Sequence, residues 1–330
     1  MKLFKRVLLG LLILIVIGGT ITFFYFKNKF LAAAPNELTL SNVGQPFEFI
    51  WRSHKFEDMV IPNAFMFIPV SLPGVDKTFY MQFDTGAPST VLLYKKVISV
   101  NEKYGNIFHI DTIDNQVQVK NANLRVGTVD VSASTLSFRG SSDKIDWESD
   151  SFIVIGTVGN DFIENNPIII DYKNQSMTIT EDKDERVTKE DDFLPFTFDG
   201  RRIFLTAQLN KEPVELWYDS GSSAFEFIVD ENTFKDLSKP NAEIRTYEGS
   251  SWGKKTKIYN VESEGMFEFG NASAPLTYVT YTEIPGTEIL QFVLKAANMG
   301  GDLGGMTGNQ LFLKKTLILD APNLRYTVKE

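Results

Sequence analysis

The sequence predicts an all-β fold built from an internal duplication, and three observations carry that expectation. Phe79-Tyr80-Met81-Gln82-Phe83 alternates apolar and polar residues as a half-buried strand does, then breaks at Asp84-Thr85-Gly86-Ala87. Val214-Glu215-Leu216-Trp217-Tyr218 repeats the pattern before Asp219-Ser220-Gly221-Ser222. Next, Gly156-Thr157-Val158-Gly159-Asn160 returns as Gly305-Met306-Thr307-Gly308-Asn309. Twelve residues beyond Gly159 and Gly308 stand Asp171 and Asp320, after Ile168-Ile169-Ile170 and Leu317-Ile318-Leu319. Finally, short strand-like runs punctuated by turn residues recur along the chain. The repeat unit of about 140 residues is too long for a solenoid. Duplicated halves predict two lobes about a pseudo-twofold axis, with one Asp from each lobe meeting there.

Taken in order, Met1 to Lys29 (residues 1–29) reads as a membrane anchor. Lys2, Lys5 and Arg6 precede an uncharged run of twenty residues, Val7 to Phe26. At ~1.5 Å rise per residue, that run spans a hydrocarbon core of about 30 Å. Ala32-Ala33-Ala34 resembles a signal cleavage site, but the apolar run is long for a signal and Lys27, Asn28 and Lys29 intervene. An uncleaved single-pass helix is therefore expected, with the basic N-terminus inside and the body extracytoplasmic, in the periplasm or cell envelope. Residues 30–45 read as a polar tether, 46–190 as the first lobe and 191–330 as the second, and no propeptide is evident. Strand-like alternation begins near Phe47 and returns from Phe65 to Leu72; Pro73-Gly74-Val75-Asp76 reads as a turn. Asn101 to Phe138 holds several short strands, and the charge run from Glu181 to Asp192 reads as a solvated connection between lobes. Only Glu288 to Asn298 is expected to be helical in the body.

Composition narrows the functions. A net charge of −9 opposes binding nucleic acid through its phosphates. With no cysteine and two histidines far apart in sequence, His54 and His109, neither a thiol nucleophile nor a zinc site is expected. Gly249-Ser250-Ser251-Trp252-Gly253 fits the G-x-S-x-G elbow of α/β-hydrolases, but that chemistry needs a histidine after the serine, and both histidines precede it. Ser251 reads instead as part of a hairpin. The glycine-rich Gly300 to Gly305 lacks the Gly-Lys-(Ser/Thr) of a phosphate loop.

One Asp-(Ser/Thr)-Gly is weak, since an Asp in that setting is often only a turn former. Two of them, each closing a hydrophobic strand and each followed by its own Gly motif, resemble the pepsin-like aspartic proteases. The resemblance covers roughly residues 60–330 with all four motif copies in order. The first loop, with Ala87, is more similar to the retroviral form, and the second, with Ser222 and Ser223, to the pepsin form. It implies a two-lobed, pepsin-like β-barrel fold and an aspartic endopeptidase acting on a peptide or protein substrate, as a monomer without cofactor or metal. Asp84 and Asp219 would be the catalytic pair. Thr85 and Ser220 would cross-brace the loops, and Gly86 and Gly221 would permit the turns that let them approach. Ser222 would donate to the outer oxygen of Asp219; Ala87 offers Asp84 no such donor, so Asp219 is expected to ionise the more easily.

The family's covering flap, a hairpin bearing a tyrosine, is expected between about Phe108 and Gln118, where the sequence has a turn but no tyrosine; Tyr104 falls too early. That departure keeps a second expectation open: a catalytically silent bilobal domain that binds peptides or a cell-envelope partner.

Overall fold

Apolar alternation at period two is written into most of the chain, and β-strands dominate the fold that results. The computed structural model describes residues 33–56, 59–113, 115–140, 143–188, 192–251, 254–283 and 303–330. The membrane run Val7–Phe26 and the helix expected at Glu288 to Asn298 lie outside them. Among the described residues no helix is long and apolar enough to cross a membrane.

The first half contributes β1 (Leu38–Ser41), β2 (Phe47–Glu48), β3 (Ile50–Phe56), β4 (Met59–Ser71), β5 (Phe79–Phe83), β6 (Val91–Leu92), β7 (His109–Ile113), β8 (Gln116–Val126), β9 (Val129–Phe138), β10 (Val154–Val158), β11 (Ile168–Asp171) and β12 (Ser176–Ile179). The second half contributes β13 (Leu194–Asp199), β14 (Arg202–Leu209), β15 (Glu212–Tyr218), β16 (Ile228–Val229), β17 (Arg245–Ser251), β18 (Lys254–Phe269), β19 (Ala272–Glu283), β20 (Leu303–Thr307), β21 (Thr316–Asp320) and β22 (Arg325–Lys329). Among the described residues three α-helices interrupt them: α1 (Tyr94–Tyr104), α2 (Glu185–Thr188) and α3 (Glu231–Leu237).

The duplication is visible in the pairing. β5 runs parallel to β10, with Phe83 opposite Val158, and β15 runs parallel to β20, with Tyr218 opposite Thr307. Each pair puts an Asp loop beside a Gly-Asn loop. The halves then join through one sheet, ordered β13-β22-β21-β11-β12-β2. At its centre β11 pairs antiparallel with β21, and Ile169 faces Ile318. These are equivalent positions of the repeat, ten residues past Gly159 and Gly308. A residue meeting its own counterpart across an antiparallel pair is what a local twofold axis requires. Buried Ile168, Ile170, Leu317 and Leu319 seat this sheet in the main core.

Several expectations are corrected. The tether is not wholly a tether: Leu38-Thr39-Leu40-Ser41 alternates, buries Leu38 and pairs with β9. Chain that can bury an apolar face in a ready sheet edge does so. The connection near Glu181 to Asp192 is not simply solvated, because α2 buries Val187 against Ile169 and Ile318. α1 was expected as no helix; its Val97 and Val100 fall one turn apart and are both fully buried, and that packing overrides the β preference of a Val-Ile-Ser-Val run. α3 is fixed by Asp230, whose side chain accepts from the Asn232 and Thr233 N–H groups.

Candidate active site

Strand β5 delivers Asp84 and strand β15 delivers Asp219. Burial of Phe79, Met81 and Phe83 on one face, and of Leu216 and Tyr218 on the other strand, fixes where each strand ends. The Asp84 N–H donates to Val158 O (3.1 Å), and the Asp219 N–H donates to Thr307 O (2.9 Å). Each loop is thus tied to its own parallel neighbour at the same point.

The two loops interlock. The Thr85 N–H donates to Ser220 Oγ (2.9 Å), and the Ser220 N–H donates to Thr85 Oγ1 (2.8 Å). Each hydroxyl then donates onward across the divide, Thr85 to Tyr218 O and Ser220 to Phe83 O, both at 3.0 Å. Thr85 and Ser220 are fully buried, so all four bonds are sheltered from competing water.

The glycines matter for space. Neither Gly86 nor Gly221 has the positive φ that only glycine takes freely. A Cβ on Gly86 would instead stand 2.5 Å from Asp219 Oδ1, and one on Gly221 2.5 Å from Asp84 Oδ1. The expected role in turning the chain is therefore corrected: each glycine makes room for the opposite carboxyl.

Within its own loop, each Asp accepts from the glycine two residues on: Gly86 N–H to Asp84 Oδ1 (2.9 Å) and Gly221 N–H to Asp219 Oδ1 (2.8 Å). Ser222 Oγ donates to Asp219 Oδ2 at 3.0 Å. The turns match, since Ala87 N–H reaches Asp84 O and Ser222 N–H reaches Asp219 O, each at 3.0 Å. Ala87 simply brings no hydroxyl.

Burial, and after it the Asp84 charge, push the Asp219 carboxyl up to about 7, and a hydrogen bond with the Asp84 carboxyl adds to the rise. The Ser222 and Gly221 donors pull the other way without cancelling it. The Ser222 donor, on which the sequence expectation for Asp219 rested, is thus present but does not leave this carboxyl with a lowered pKa. One donor on an ion lowers its pKa, but desolvation and a neighbouring like charge together outweigh it.

Residues the sequence reading left without a role hold the loops from behind. Asn160 donates through Nδ2 to Thr85 O (2.6 Å) and to Arg201 O (2.7 Å). Its counterpart Asn309 donates to Ser220 O (3.4 Å) and accepts at Oδ1 from the hydroxyls of Tyr218 (2.6 Å) and Tyr172 (2.7 Å). The signal was present, since Gly-Asn occurs in both copies of the repeat. Arg201, from the turn between β13 and β14, reaches back to the first half; its side chain, 3% exposed, pairs with Glu164 at 2.9 Å and contacts Pro88 O and Ser89 Oγ. Gly159 and Gly308 pack on the loops so closely that a Cβ would meet backbone at 2.5 and 2.6 Å.

The expected flap segment does form a hairpin, β7 with β8, and Tyr104 lies at the end of α1 with its ring against Trp147. The hairpin beside the second Asp loop is a different one: β4, from the β3–β4 hairpin, packs on residues 220–222. Ser251 ends β17 opposite Lys254 of β18. Among the described residues, no three or more His, Asp or Glu side chains converge to hold a metal ion. No protein-family model and no curated protein matches this chain.

Proposed function

We propose that the chain is a membrane-anchored aspartic endopeptidase of the two-lobed pepsin-like architecture, with Asp84 and Asp219 as its catalytic pair. The observation that carries the reading is the reciprocal seating of the pair: each carboxyl lies against the other loop's glycine, and the Asp84 charge helps to raise the Asp219 carboxyl. Like charges that close cannot both ionise, and aspartic-protease dyads are a standard example of carboxyls sharing one proton. A turn-forming Asp needs no such partner.

One carboxyl of the pair holds the shared proton and the other is the ionised base; with the proton on Asp219, Asp84 takes the part of the base. Water between them loses a proton to Asp84 as its oxygen bonds to the scissile carbonyl carbon. Asp219 gives its proton to the carbonyl oxygen, leaving a neutral gem-diol and a pair that is still singly protonated. Asp84 then passes its proton to the amide nitrogen while Asp219 recovers one from a diol hydroxyl. The C–N bond breaks, releasing amine and carboxylic acid. No metal or covalent intermediate enters this sequence. An extended substrate would lie in the cleft and bond through its backbone. The anchor Val7–Phe26 would hold the enzyme to a membrane with its body outside the cytoplasm.

The test is cleavage of an unfolded protein by the full chain in detergent at mildly acidic pH. Asp84→Asn and Asp219→Asn should each abolish cleavage while the far-UV circular dichroism stays unchanged. Cleavage surviving in either variant overturns the dyad. A folded wild type that cleaves nothing in a broad peptide library points to the silent peptide-binding domain.

A further inference from the structure

We infer that the β3–β4 hairpin is a specificity element that ends the substrate groove on one side of the dyad; the inference rests on the hydrolytic reading above. The register of β4 on β5 places Phe67 opposite Gln82 and Val70 opposite Phe79. Carried two residues further, the same register brings Phe65 level with Asp84. The strand does not stop there. It continues back to Met59, paired with β3 through Arg52–Phe65, His54–Ile61 and Phe56–Met59. Six residues of strand at ~3.3 Å each carry it about 20 Å past the level of Asp84. Pro62 is accommodated because it falls in the bulge between the Arg52 and His54 pairings, where a missing N–H costs no ladder bond.

The overshoot enters the second half and is buried there. Ile61 (9% exposed) and Ala64 (1%) form one apolar cluster with Tyr247 (8%) of β17 and Ile258 (4%) of β18. Ala224 and Phe225, which follow the Asp219 loop directly, pack against the same cluster. An open groove would leave these facing surfaces in water. Their burial means that side chains fill the space between the halves beside the Asp219 loop.

A peptide threaded past Asp84 and Asp219 is therefore gripped over fewer residues on this side. Beyond that point it must end or turn out into solvent, where further residues add no binding. The sequence gives this arrangement no counterpart in the second half: residues 194–218 run through β13, β14 and β15 with tight turns and no comparable overshoot. The opposite side of the dyad is not closed by the symmetry-related strands.

The experiment uses two series of fluorogenic peptides around one cleaved bond, extended one residue at a time toward either terminus, with the full chain in detergent. In wild type, kcat/KM should level off after fewer residues in one series than in the other. Replacing residues 54–61 by Asn-Gly should leave the long-plateau series unchanged and let the short one climb by about tenfold before it levels. Should that variant fail to fold, Ile61→Asp, which puts a charge into the cluster and detaches the strand without shortening it, should move the same plateau. Equal plateaus in wild type, or a plateau that neither folded variant moves, overturn the inference while leaving the hydrolytic reading standing. Absence of cleavage of every peptide overturns the hydrolytic reading itself.

Discussion

Thr85 and Ser220 exchange hydrogen bonds across the two halves, each backbone N–H donating to the other residue's hydroxyl oxygen. No other pair among the Asp-loop residues is bonded in both directions by the described contacts. Because both hydroxyls also donate to carbonyls of the opposite strand, removing either strands a buried N–H and a buried C=O together. Thr85→Val and Ser220→Ala should each destabilise by about 1–3 kcal/mol. The double variant should cost less than the sum, with a coupling of about 0.5–3 kcal/mol. Urea unfolding of the four proteins closes the cycle, and strict additivity would mean that the brace is not a unit.

Gly86 and Gly221 lie in backbone that alanine can adopt, so the fold should accept the change. The carboxyls should not. A methyl placed 2.5 Å from the opposite carboxyl oxygen must push it away. Displacement on the ångström scale costs about a hundredfold in rate. Gly86→Ala and Gly221→Ala should therefore melt near the wild-type temperature and lose at least that much of kcat. Equal loss of stability and activity would place the glycines in folding and not in the site.

The raised Asp219 carboxyl reverses the usual pH dependence of a carboxylate. Between an unfolded pKa of about 4 and the folded value of about 7, the native state holds a proton that the unfolded chain has lost. The group's stabilising contribution is thus complete below about pH 4 and disappears as pH rises through 7. Its ceiling is about 4 kcal/mol, and solvent in the cleft reduces that. Urea midpoints at pH 4.5 and 7 should show wild type losing stability relative to Asp219→Asn as pH rises. On the proposed mechanism the same proton takes part in catalysis, so kcat/KM should fall above about pH 7. Ser222→Ala removes a donor that favours the ion and should move that limb upward by less than about one unit.

How much of this was readable in advance depended on distance along the chain. The Asp loops, their Thr85–Ser220 brace and the Gly-Asn loops are each spelled in consecutive residues and spelled twice. The duplication turns a weak local pattern into a geometric one. The β3–β4 overshoot is different. Pro62 breaks the alternation of β4, and Ile61 finds its partners Tyr247 and Ile258 almost 200 residues away. An arginine in a turn is ordinarily exposed, and only the fold shows Arg201 buried against Glu164. The Val-Ile-Ser-Val of α1 prefers a strand by composition. Burial of Val97 and Val100 on one helical face decides otherwise. In each case tertiary packing overrides a local preference.

Ala87 is the position where the first Asp loop lacks the hydroxyl that the second presents to its own Asp. Its turn superposes in kind on that of Ser222, with the same backbone bond from the third residue after the Asp back to the Asp carbonyl at 3.0 Å. A serine at 87 should therefore present its hydroxyl to Asp84 Oδ2 as Ser222 presents its own to Asp219 Oδ2 at 3.0 Å. A donor to a carboxylate oxygen favours its ionised form, so on the proposed mechanism it favours the working, singly protonated pair over the doubly protonated one. The first ionisation should move to lower pH, and the acidic limb of kcat/KM should move with it. The two carboxyls titrate as a coupled pair, so the apparent value belongs to the dyad. A hydrogen bond to a charged group contributes about 1.5–3 kcal/mol at most, and competing solvent brings the expected shift below about one unit. Ala87 is buried, with 6% exposure, so the change adds one oxygen to a packed position. Thermal melting should be followed alongside the rate profile. An acidic limb that stays put or moves upward in a variant melting like wild type would show that a donor at this position does not tune the dyad.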